Sequence, residues 1–274
     1  MLDLADYHMH TKRCGHARGE MEQYVEEAIR KGLAEIGFSD HLPLVTHRDP
    51  GLTMGEEELP QYVEDVLQVR EKYPEIAIKL GIEADFVLGY EEKTRRLLEP
   101  YDWDYIIGSV HIIDQWEFDD PRQLETWDDK DIDAVYHRYY ELLRASAESG
   151  LCDIVAHCDL VKKFGHRPQA DLRAEFEETA ETFQRCGVAV EINTSGWYKP
   201  VAEVYPAFPI LQILQRYDLP LVISSDAHAP QEVGRDFDRA IEQAQKAGYA
   251  ETVIFSGREI VERRPLPDPV ECQS

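Results

Sequence analysis

The chain has 274 residues, of which 43% are hydrophobic, so it can bury the core of one large domain or of two small ones. Its 54 acidic residues outnumber the 29 basic ones and give a net charge of −25. This charge argues against nucleic acid or an anionic membrane as a partner, because both bind cationic surfaces. An anionic substrate would need a local source of positive charge.

The five cysteines form neither a Cys-x-x-Cys pair nor a disulfide framework, which predicts reduced thiols in a cytoplasmic protein. Residues 1–6 lack the basic and apolar regions of a signal peptide. No stretch approaches the length of a membrane span.

Short apolar runs alternate with amphipathic segments along the chain, and this alternation predicts a parallel sheet. The predicted strands are Leu4–His8, Glu35–Ser39, Ala77–Glu83, Tyr105–Val110, Ile154–His157, Ala189–Asn193 and Leu221–Ser225. The predicted helices are Met21–Lys31, Leu59–Lys72, Tyr90–Leu98, Val135–Ser149, Leu172–Arg185, Pro209–Tyr217 and Arg235–Ala247. Seven or eight such units in about 250 residues indicate a closed α/β barrel.

We expect residues 1–274 to form a single domain, because no linker rich in Gly, Ser or Pro divides them. Thr252–Phe255 is either an eighth strand or an addition outside the barrel. The acidic segment Ile112–Asp133 is too long for an ordinary connection. It is either a lid or a solvated excursion whose two tryptophans pack on the barrel. The tail Arg264–Ser274, with three prolines, is predicted to be irregular.

Seven of the ten histidines lie at or just beyond the carboxyl ends of the predicted strands, where the active sites of parallel barrels lie. They are His8, His10, His16, His41, His111, His157 and His228. Together with Glu83 and Asp226 they exceed the four ligands of one tetrahedral site, which indicates two or three metal ions. The remaining histidines, His47, His137 and His166, are predicted not to be ligands.

Three residues near these histidines have more than one interpretation. Asp226 faces the same way as His228 if its strand continues, and it can both ligate a metal and accept a proton. Asp40 either orients the imidazole of His41 or caps a loop. Cys14 is predicted to be structural, because the nearby histidines already complete the ligand count.

These motifs, in this order, resemble the polymerase-and-histidinol-phosphatase (PHP) superfamily. The residues that carry the resemblance are His8-x-His10, His16, Ser39-Asp40-His41, Glu83, Gly108-Ser109-x-His111, His157 and Asp226-x-His228. The resemblance extends from residue 3 to residue 230. His157–Gly165 and Glu191–Gly196 are similar to the monofunctional histidinol-phosphatase branch in particular.

The resemblance implies a distorted (β/α)7 TIM-like barrel that binds three divalent ions of zinc, iron or manganese. By position, His8, His10, Glu83 and Asp226 would hold the first ion, Glu83, His111 and His157 the second, and His16, His41 and His228 the third. The ions would supply the positive charge that an anionic substrate needs.

The implied activity is hydrolysis of L-histidinol phosphate to L-histidinol and phosphate in histidine biosynthesis. Asp226 or His228 would relay a proton to the leaving group. Lys163, Ser195 and Lys199 are candidates for substrate contacts. Relatives often have a substrate-binding arginine where this chain has Tyr198, so either Lys199 replaces it or the substrate differs.

Three alternatives remain open from the sequence. A PHP-family phosphoesterase for a nucleotide or sugar phosphate would share every ligand. A metal-dependent amidohydrolase also begins with His-x-His on a strand, but such enzymes often bridge two metals with a lysine at a strand end, and none is present here. A non-catalytic metal-binding protein is disfavoured because its ligands tend to cluster along the sequence.

Overall fold

The computed structural model describes residues 2–267, which contain a seven-stranded parallel sheet that curves almost into a closed barrel. The strands are β1 Leu2–Asp6, β2 Leu33–Phe38, β3 Ala77–Asp85, β4 Tyr105–Ser109, β5 Ile112–Ile113, β6 Trp116–Glu117, β7 Ile154–Val155, β8 Ala189–Asn193, β9 Leu221–Ser224, β10 Glu251–Ser256 and β11 Glu259–Pro265. The barrel sheet has the order β1-β2-β3-β4-β7-β8-β9. The predicted barrel of parallel strands is confirmed.

Helices cover the outside of the sheet. They are α1 Met21–Lys31, α2 Leu59–Lys72, α3 Glu91–Leu98, α4 Ile132–Glu148, α5 Arg173–Cys186, α6 Phe208–Arg216 and α7 Phe237–Ala247. The first helix shows why these segments form: Glu20 and Gln23 make a capping box at its start, and Gly32 ends it with a φ of 75°. Its apolar face buries Tyr24 and Val25 against the sheet.

The first and last strands of the barrel meet at their carboxyl ends. Met9 and Ala227 form a parallel bridge there, outside the named strands. The His10 amide donates to the Ala227 carbonyl at 2.9 Å, and the Ala227 amide donates to the His8 carbonyl at 3.0 Å. Closure of the barrel therefore brings His8-x-His10 next to Asp226-x-His228.

The antiparallel hairpin β10–β11 lies outside the seven-stranded sheet, so Thr252–Phe255 is an addition rather than an eighth barrel strand. Val253, Ile254 and Phe255 pack on an apolar cluster that includes the first residues of β4, β7 and β8. Arg258, in the turn of the hairpin, forms an ion pair with Asp153 just before β7, with nitrogen and oxygen 2.9 Å apart. The hairpin thus closes the amino end of the barrel.

The prediction of an irregular tail is wrong at its beginning. Arg264 and Pro265 belong to β11, where they pair with Thr252 and Glu251. Tertiary pairing with β10 outweighs the local effect of the prolines. Residues 268–274 of the predicted tail lie outside the described residues.

The segment Ile112–Asp133 packs on the barrel and also lines the cavity, and its role as a lid stays a prediction. It contains the short hairpin β5–β6 and a stretch of 3-10 helix at Pro121–Asp129. The Trp127 side chain is buried against the barrel, while Glu117 and Asp119 face the central cavity.

Most boundaries near the barrel rim differ from the predictions by one or two residues, and two of them have a clear reason. The first strand ends at Asp6 rather than His8, although the bridge at Met9 extends its path. The last helix begins at Phe237 rather than Arg235, because Gly234 and Asp236 both have a φ of 58°, which is incompatible with a right-handed helix. None of the described helices is long and apolar enough to cross a membrane.

Candidate metal centre and active site

A cavity of about 730 Å³ lies at the carboxyl ends of the barrel strands. Seven predicted ligands line it: His16, His41, Glu83, His111, His157, Asp226 and His228. His8 and His10 are fully buried beside them. The structure therefore brings together all nine side chains that the sequence predicts to be metal ligands.

The imidazoles form a continuous cluster at the floor of this cavity. The ring centroid of His10 lies 5.1 Å from that of His8, 4.3 Å from that of His41 and 4.1 Å from that of His228. At one side of the cluster, the centroids of His111 and His157 are 5.1 Å apart. Such spacing lets neighbouring rings share ions.

The ligand atoms fall into overlapping groups whose members lie within 4.8 Å of one another. These groups include His8/His10/Asp226, His8/Glu83/His157, His10/His41/His228 and Cys14/His16/His228. The His111 Nε2 atom lies 3.8 Å from the Glu83 Oε1 atom, next to the second group. Cys14, predicted to be structural, is thus adjacent to the third predicted site, and burial raises the pKa of its thiol.

For four of the histidines, a hydrogen bond fixes which ring nitrogen faces the centre of the imidazole cluster. The Nδ1–H of His8 donates to Glu191 Oε1 at 2.7 Å, and that of His111 donates to Asp85 Oδ1 at the same distance. Because a carboxylate can only accept, both rings carry their hydrogen on Nδ1. Their Nε2 atoms are left free to bind a metal, the arrangement that metal-binding histidines generally show.

His16 and His228 show the same arrangement with backbone acceptors. The Nδ1–H of His16 donates to the Cys14 carbonyl at 2.9 Å, and that of His228 donates to the Asp226 carbonyl at 3.0 Å. The two Nε2 atoms lie 2.9 Å apart. Burial, followed by the neighbouring imidazoles, lowers the pKa of His16 to about 4, and burial also places the pKa of His228 well below its ordinary value. Two neutral acceptors that face each other at this distance fit a cation.

Further buried atoms in the cluster have no hydrogen-bond partner among residues 2–267. They are His8 Nε2, His10 Nδ1, His10 Nε2, Glu83 Oε2 and His157 Nδ1. Leaving buried polar atoms unpaired is costly, so such a concentration indicates a missing partner. Nitrogen and carboxylate donors of this kind suit zinc, iron or manganese, and the residues present therefore fit a metal centre.

The two central carboxylates are ionised in this setting. Burial opposes ionisation of Glu83, but His41, His8 and His111 hold the pKa of its carboxyl well below the ordinary value. Burial likewise opposes ionisation of Asp226, and His8 and His10 outweigh it. Both side chains can therefore bind cations at neutral pH.

Comparison with known proteins agrees with this geometry. The family model described as the PHP domain matches residues 6–195, more than half of the chain. This chain belongs to the PHP domain family. It is 38% identical over 261 residues to a probable histidinol-phosphatase of Deinococcus radiodurans, a match that covers 95% of this chain and 99% of the relative.

Two further relatives match this chain over most of its length and over all of their own. The histidinol-phosphatase of Bacillus subtilis is 27% identical, with 88% of this chain and 100% of the relative covered. The crystal structure of histidinol phosphate phosphatase from Lactococcus lactis, complexed with zinc, L-histidinol and phosphate, has a TM-score of 0.80 at 23% identity. It covers 96% of this chain and all of its own, and at this identity it supports the PHP-type barrel fold.

Sequence reasoning missed two acidic residues that position the ligands of the PHP domain. Glu191 accepts from the His8 ring and, at 2.9 Å, from the His157 amide, while Asp85 accepts from the ring and the amide of His111. Glu191 belongs to a predicted strand, and Asp85 lies two residues beyond another. The sequence therefore already indicated that both residues lie near the rim of the barrel. Of the two roles predicted for Asp40, the structure shows the cap of the loop: its Oδ1 atom accepts from the His41 amide at 2.9 Å. The imidazole beside Asp40 is that of His10, with Nδ1 3.5 Å away, while the His41 ring faces Glu83.

The three predicted substrate contacts all line the cavity, but their side chains have different hydrogen-bond partners. The Lys163 ammonium donates to the carboxylate of Asp119 at 2.9 Å. Burial opposes ionisation of Asp119, but Lys163 and His111 lower its pKa to about 2. The Ser195 hydroxyl donates to Asp226 Oδ2 at 3.0 Å, and Lys199 lies on the same wall as Tyr198.

The three histidines predicted not to be ligands lie away from the cluster. His47 is half-exposed, with its Nε2 atom 3.0 Å from Glu117 Oε1, and His137 forms a surface ion pair with Glu175. The His166 ring stacks on Trp127 with centroids 4.3 Å apart.

Among the Asp, Glu, Lys and Arg side chains that line the cavity, the acidic ones predominate. The four cationic ones are Arg122, Lys163, Lys199 and Arg235. The seven carboxylates are Glu83, Asp85, Glu117, Asp119, Asp120, Asp226 and Glu232. The protein alone thus presents a cavity with three carboxylates in excess, and an anionic ligand needs added cations to enter it.

Proposed function

We propose that this chain is a metal-dependent phosphomonoesterase that hydrolyses L-histidinol phosphate to L-histidinol and phosphate. The observation that carries the proposal is the cluster of nine nitrogen and carboxylate ligands at the floor of a cavity large enough for a small molecule. The 38% identity to a probable histidinol-phosphatase over almost the whole chain supports the choice of substrate.

The ligand groups are consistent with three divalent ions of zinc, iron or manganese. His8, His10, Glu83 and Asp226 would hold one, Glu83, His111 and His157 a second, and His16, His41 and His228 a third. Bound ions would supply the positive charge and Lewis acidity that phosphoryl transfer from a dianionic ester requires. They would also reverse the acidic excess of the cavity.

Hydrolysis requires water to add to phosphorus while the bond between phosphorus and the alcohol oxygen breaks, with one proton moving to the leaving alkoxide. Asp226 is suited to accept that proton, because it is ionised and faces the cavity. Hydrogen bonds from Ser195 at 3.0 Å and Asn193 at 3.2 Å hold its Oδ2 atom in place. His228 is less suited than Asp226, because its Nδ1–H donates to the Asp226 carbonyl and its Nε2 atom would bind the third ion.

The amino alcohol part of the substrate would face carboxylates of the cavity wall. Glu117 is a candidate for its ammonium group, because it lines the cavity and its Oε1 atom lies 3.0 Å from the imidazole Nε2 of His47 rather than beside a lysine or arginine. Asp119 is already neutralised by Lys163. The four described cysteines are all free thiols, which supports activity in the reducing cytoplasm.

The test is phosphate release from L-histidinol phosphate by protein of measured metal content, beside a panel of nucleotide and sugar phosphates. We expect L-histidinol phosphate to give the highest kcat/KM. Chelator treatment should abolish turnover, and zinc, iron or manganese should restore it.

An Asp226→Asn variant separates catalysis from metal binding. If it keeps its metal but loses turnover, the centre is catalytic rather than a storage site. Good activity on another phosphomonoester with none on L-histidinol phosphate would reject the substrate and leave the phosphatase class intact.

A further inference from the structure

One cationic side chain of the cavity wall, that of Arg235, stacks on an aromatic ring. The Arg235 guanidinium carbon lies 3.6 Å from the centroid of the Tyr198 ring. The Tyr198 hydroxyl in turn donates to Asp236 Oδ2 at 2.6 Å. Because the ring is fixed at both its face and its hydroxyl, it holds the guanidinium in one orientation.

The turn that carries Arg235 is anchored to the metal-binding end of the barrel. The Arg235 Nη1 group donates to Glu232 Oε1 at 3.2 Å, and Glu232 Oε2 accepts from the His228 amide at 2.8 Å. Beside it, the Gly234 amide donates to the buried carboxylate of Asp6 at 2.8 Å. The carboxylate of Glu232 therefore links the guanidinium of Arg235 to the backbone of His228, a proposed metal ligand.

Arg235 has fewer carboxylate partners for its N–H groups than Arg122, and its carboxylate contact, at 3.2 Å, is longer than that of Lys163, at 2.9 Å. Arg122 is paired with both Asp49 and Asp120, and Lys163 with Asp119. Arg235 makes one side-chain hydrogen bond among the described residues, and its Nε atom is buried without a partner. A guanidinium has five N–H donors, so most of its fork is free for an acceptor in the cavity.

We propose that Arg235 binds the phosphate group of the substrate, with Tyr198 as the platform that orients it. The inference rests on the proposed phosphomonoesterase function. L-histidinol phosphate carries one anionic group, its phosphate, while its ammonium and imidazole groups do not attract a cation. The planar fork of arginine matches two phosphate oxygens, which a lysine in the same place would not.

The test compares the two products as inhibitors of 4-nitrophenyl phosphate hydrolysis by the metal-loaded enzyme. In Arg235→Gln we expect inhibition by inorganic phosphate to weaken by about 10–100-fold, the loss of a charge-assisted hydrogen-bonded pair. Inhibition by L-histidinol should stay unchanged. Arg235→Lys should recover part of the phosphate affinity, since it restores the charge without the fork.

Arg239 provides a matched control in the neighbouring helix. Its guanidinium carbon lies 4.0 Å from the centroid of the Trp197 ring, in a similar stack, but the residue is exposed and does not line the cavity. Arg239→Gln should leave inhibition by both products unchanged.

Three results would overturn the assignment. Unchanged phosphate inhibition in Arg235→Gln is the first, and a phosphate effect found only in Lys199→Gln is the second. The third is loss of bound metal from Arg235→Gln, which would make the residue a support of the metal centre. If L-histidinol does not inhibit the wild-type enzyme, the proposed substrate fails, while the phosphate arm still tests Arg235.

Discussion

The two ends of the barrel differ in how the polar atoms at their centres are paired. At the amino end, the Tyr7 hydroxyl donates to Glu35 at 2.5 Å and accepts from the Phe255 amide at 3.1 Å, and the Tyr105 hydroxyl donates to the Tyr7 carbonyl at 2.6 Å. At the carboxyl end, five buried atoms of His8, His10, Glu83 and His157 have no partner in the described structure.

This difference separates the part of the barrel that stabilises the fold from the part that binds ligands. The hydroxyl groups of Tyr7 and Tyr105 are paired inside an apolar cluster and need nothing further, whereas the unpaired atoms of the closing hairpin, in Thr252 and Arg264, are scattered rather than gathered at a cavity. The carboxyl end concentrates imidazoles around ionised carboxylates, an arrangement that bound cations would complete. Substitutions at the two ends should therefore have separable effects.

The largest expected effect is at the carboxyl end. His10→Ala removes a fully buried imidazole from the centre of the cluster. We expect kcat/KM to fall by more than the roughly 10–100-fold typical for loss of a residue that hydrogen-bonds to a metal ligand, because His10 is proposed to bind the metal directly. Phosphate release and metal content measure the loss, and circular dichroism should show a folded barrel.

The control for this variant is His137→Ala, at an exposed histidine that pairs with Glu175 on the surface. It should keep full activity and metal content. An active His10→Ala enzyme would contradict the metal-binding role of the first histidine pair.

An intermediate effect, on stability alone, is expected at the amino end. Phe255→Ala empties a buried site beneath Tyr7 and should lower the free energy of unfolding by about 3–5 kcal/mol. Urea denaturation measures this change. Metal content and KM at temperatures where the variant is folded should match the wild type.

Val261→Ala, on the exposed face of the same hairpin, is the matched control and should change the unfolding free energy by less than about 0.5 kcal/mol. If Phe255→Ala releases metal while still folded, the two ends are coupled and the comparison fails.

The smallest of the three effects is expected at Glu191, which lies at the carboxyl end and positions a proposed metal ligand. Glu191→Gln would place an amide where the carboxylate accepts from the His8 ring, the His157 amide and the Asn193 side chain. We expect metal affinity to fall by about 10–100-fold, measured by competition with a chelator.

Glu181→Gln, on an exposed face of α5, should leave metal affinity unchanged. Wild-type affinity in Glu191→Gln would mean that Glu191 only supports the fold.

Local sequence patterns predicted the elements well, and they predicted side chains that the structure brings together, for a physical reason. Strand–helix alternation and the glycine that ends α1 are properties of short segments, and the helices Met21–Lys31 and Leu59–Lys72 have the predicted bounds. Histidines at strand ends can be read in the same way, because parallel strands place their carboxyl ends on one rim. The division of these residues among three ions stays a prediction.

Other features depend on partners far apart along the chain. Glu191 meets His8 across 183 positions, and the Tyr7 hydroxyl reaches Phe255 across 248. The strand Glu259–Pro265 forms against local preference because β10 offers it a ladder of hydrogen bonds.

The sequence by itself thus determined the barrel class, the order of its elements and the candidate ligands, since each follows from local periodicity and residue chemistry. The tertiary structure decided which nitrogen of His8, His16, His111 and His228 faces the centre of the cluster, which end of the barrel is closed, and that Arg235 rather than residue 198 presents a guanidinium to the cavity. These outcomes depend on packing between distant segments, which no local pattern encodes.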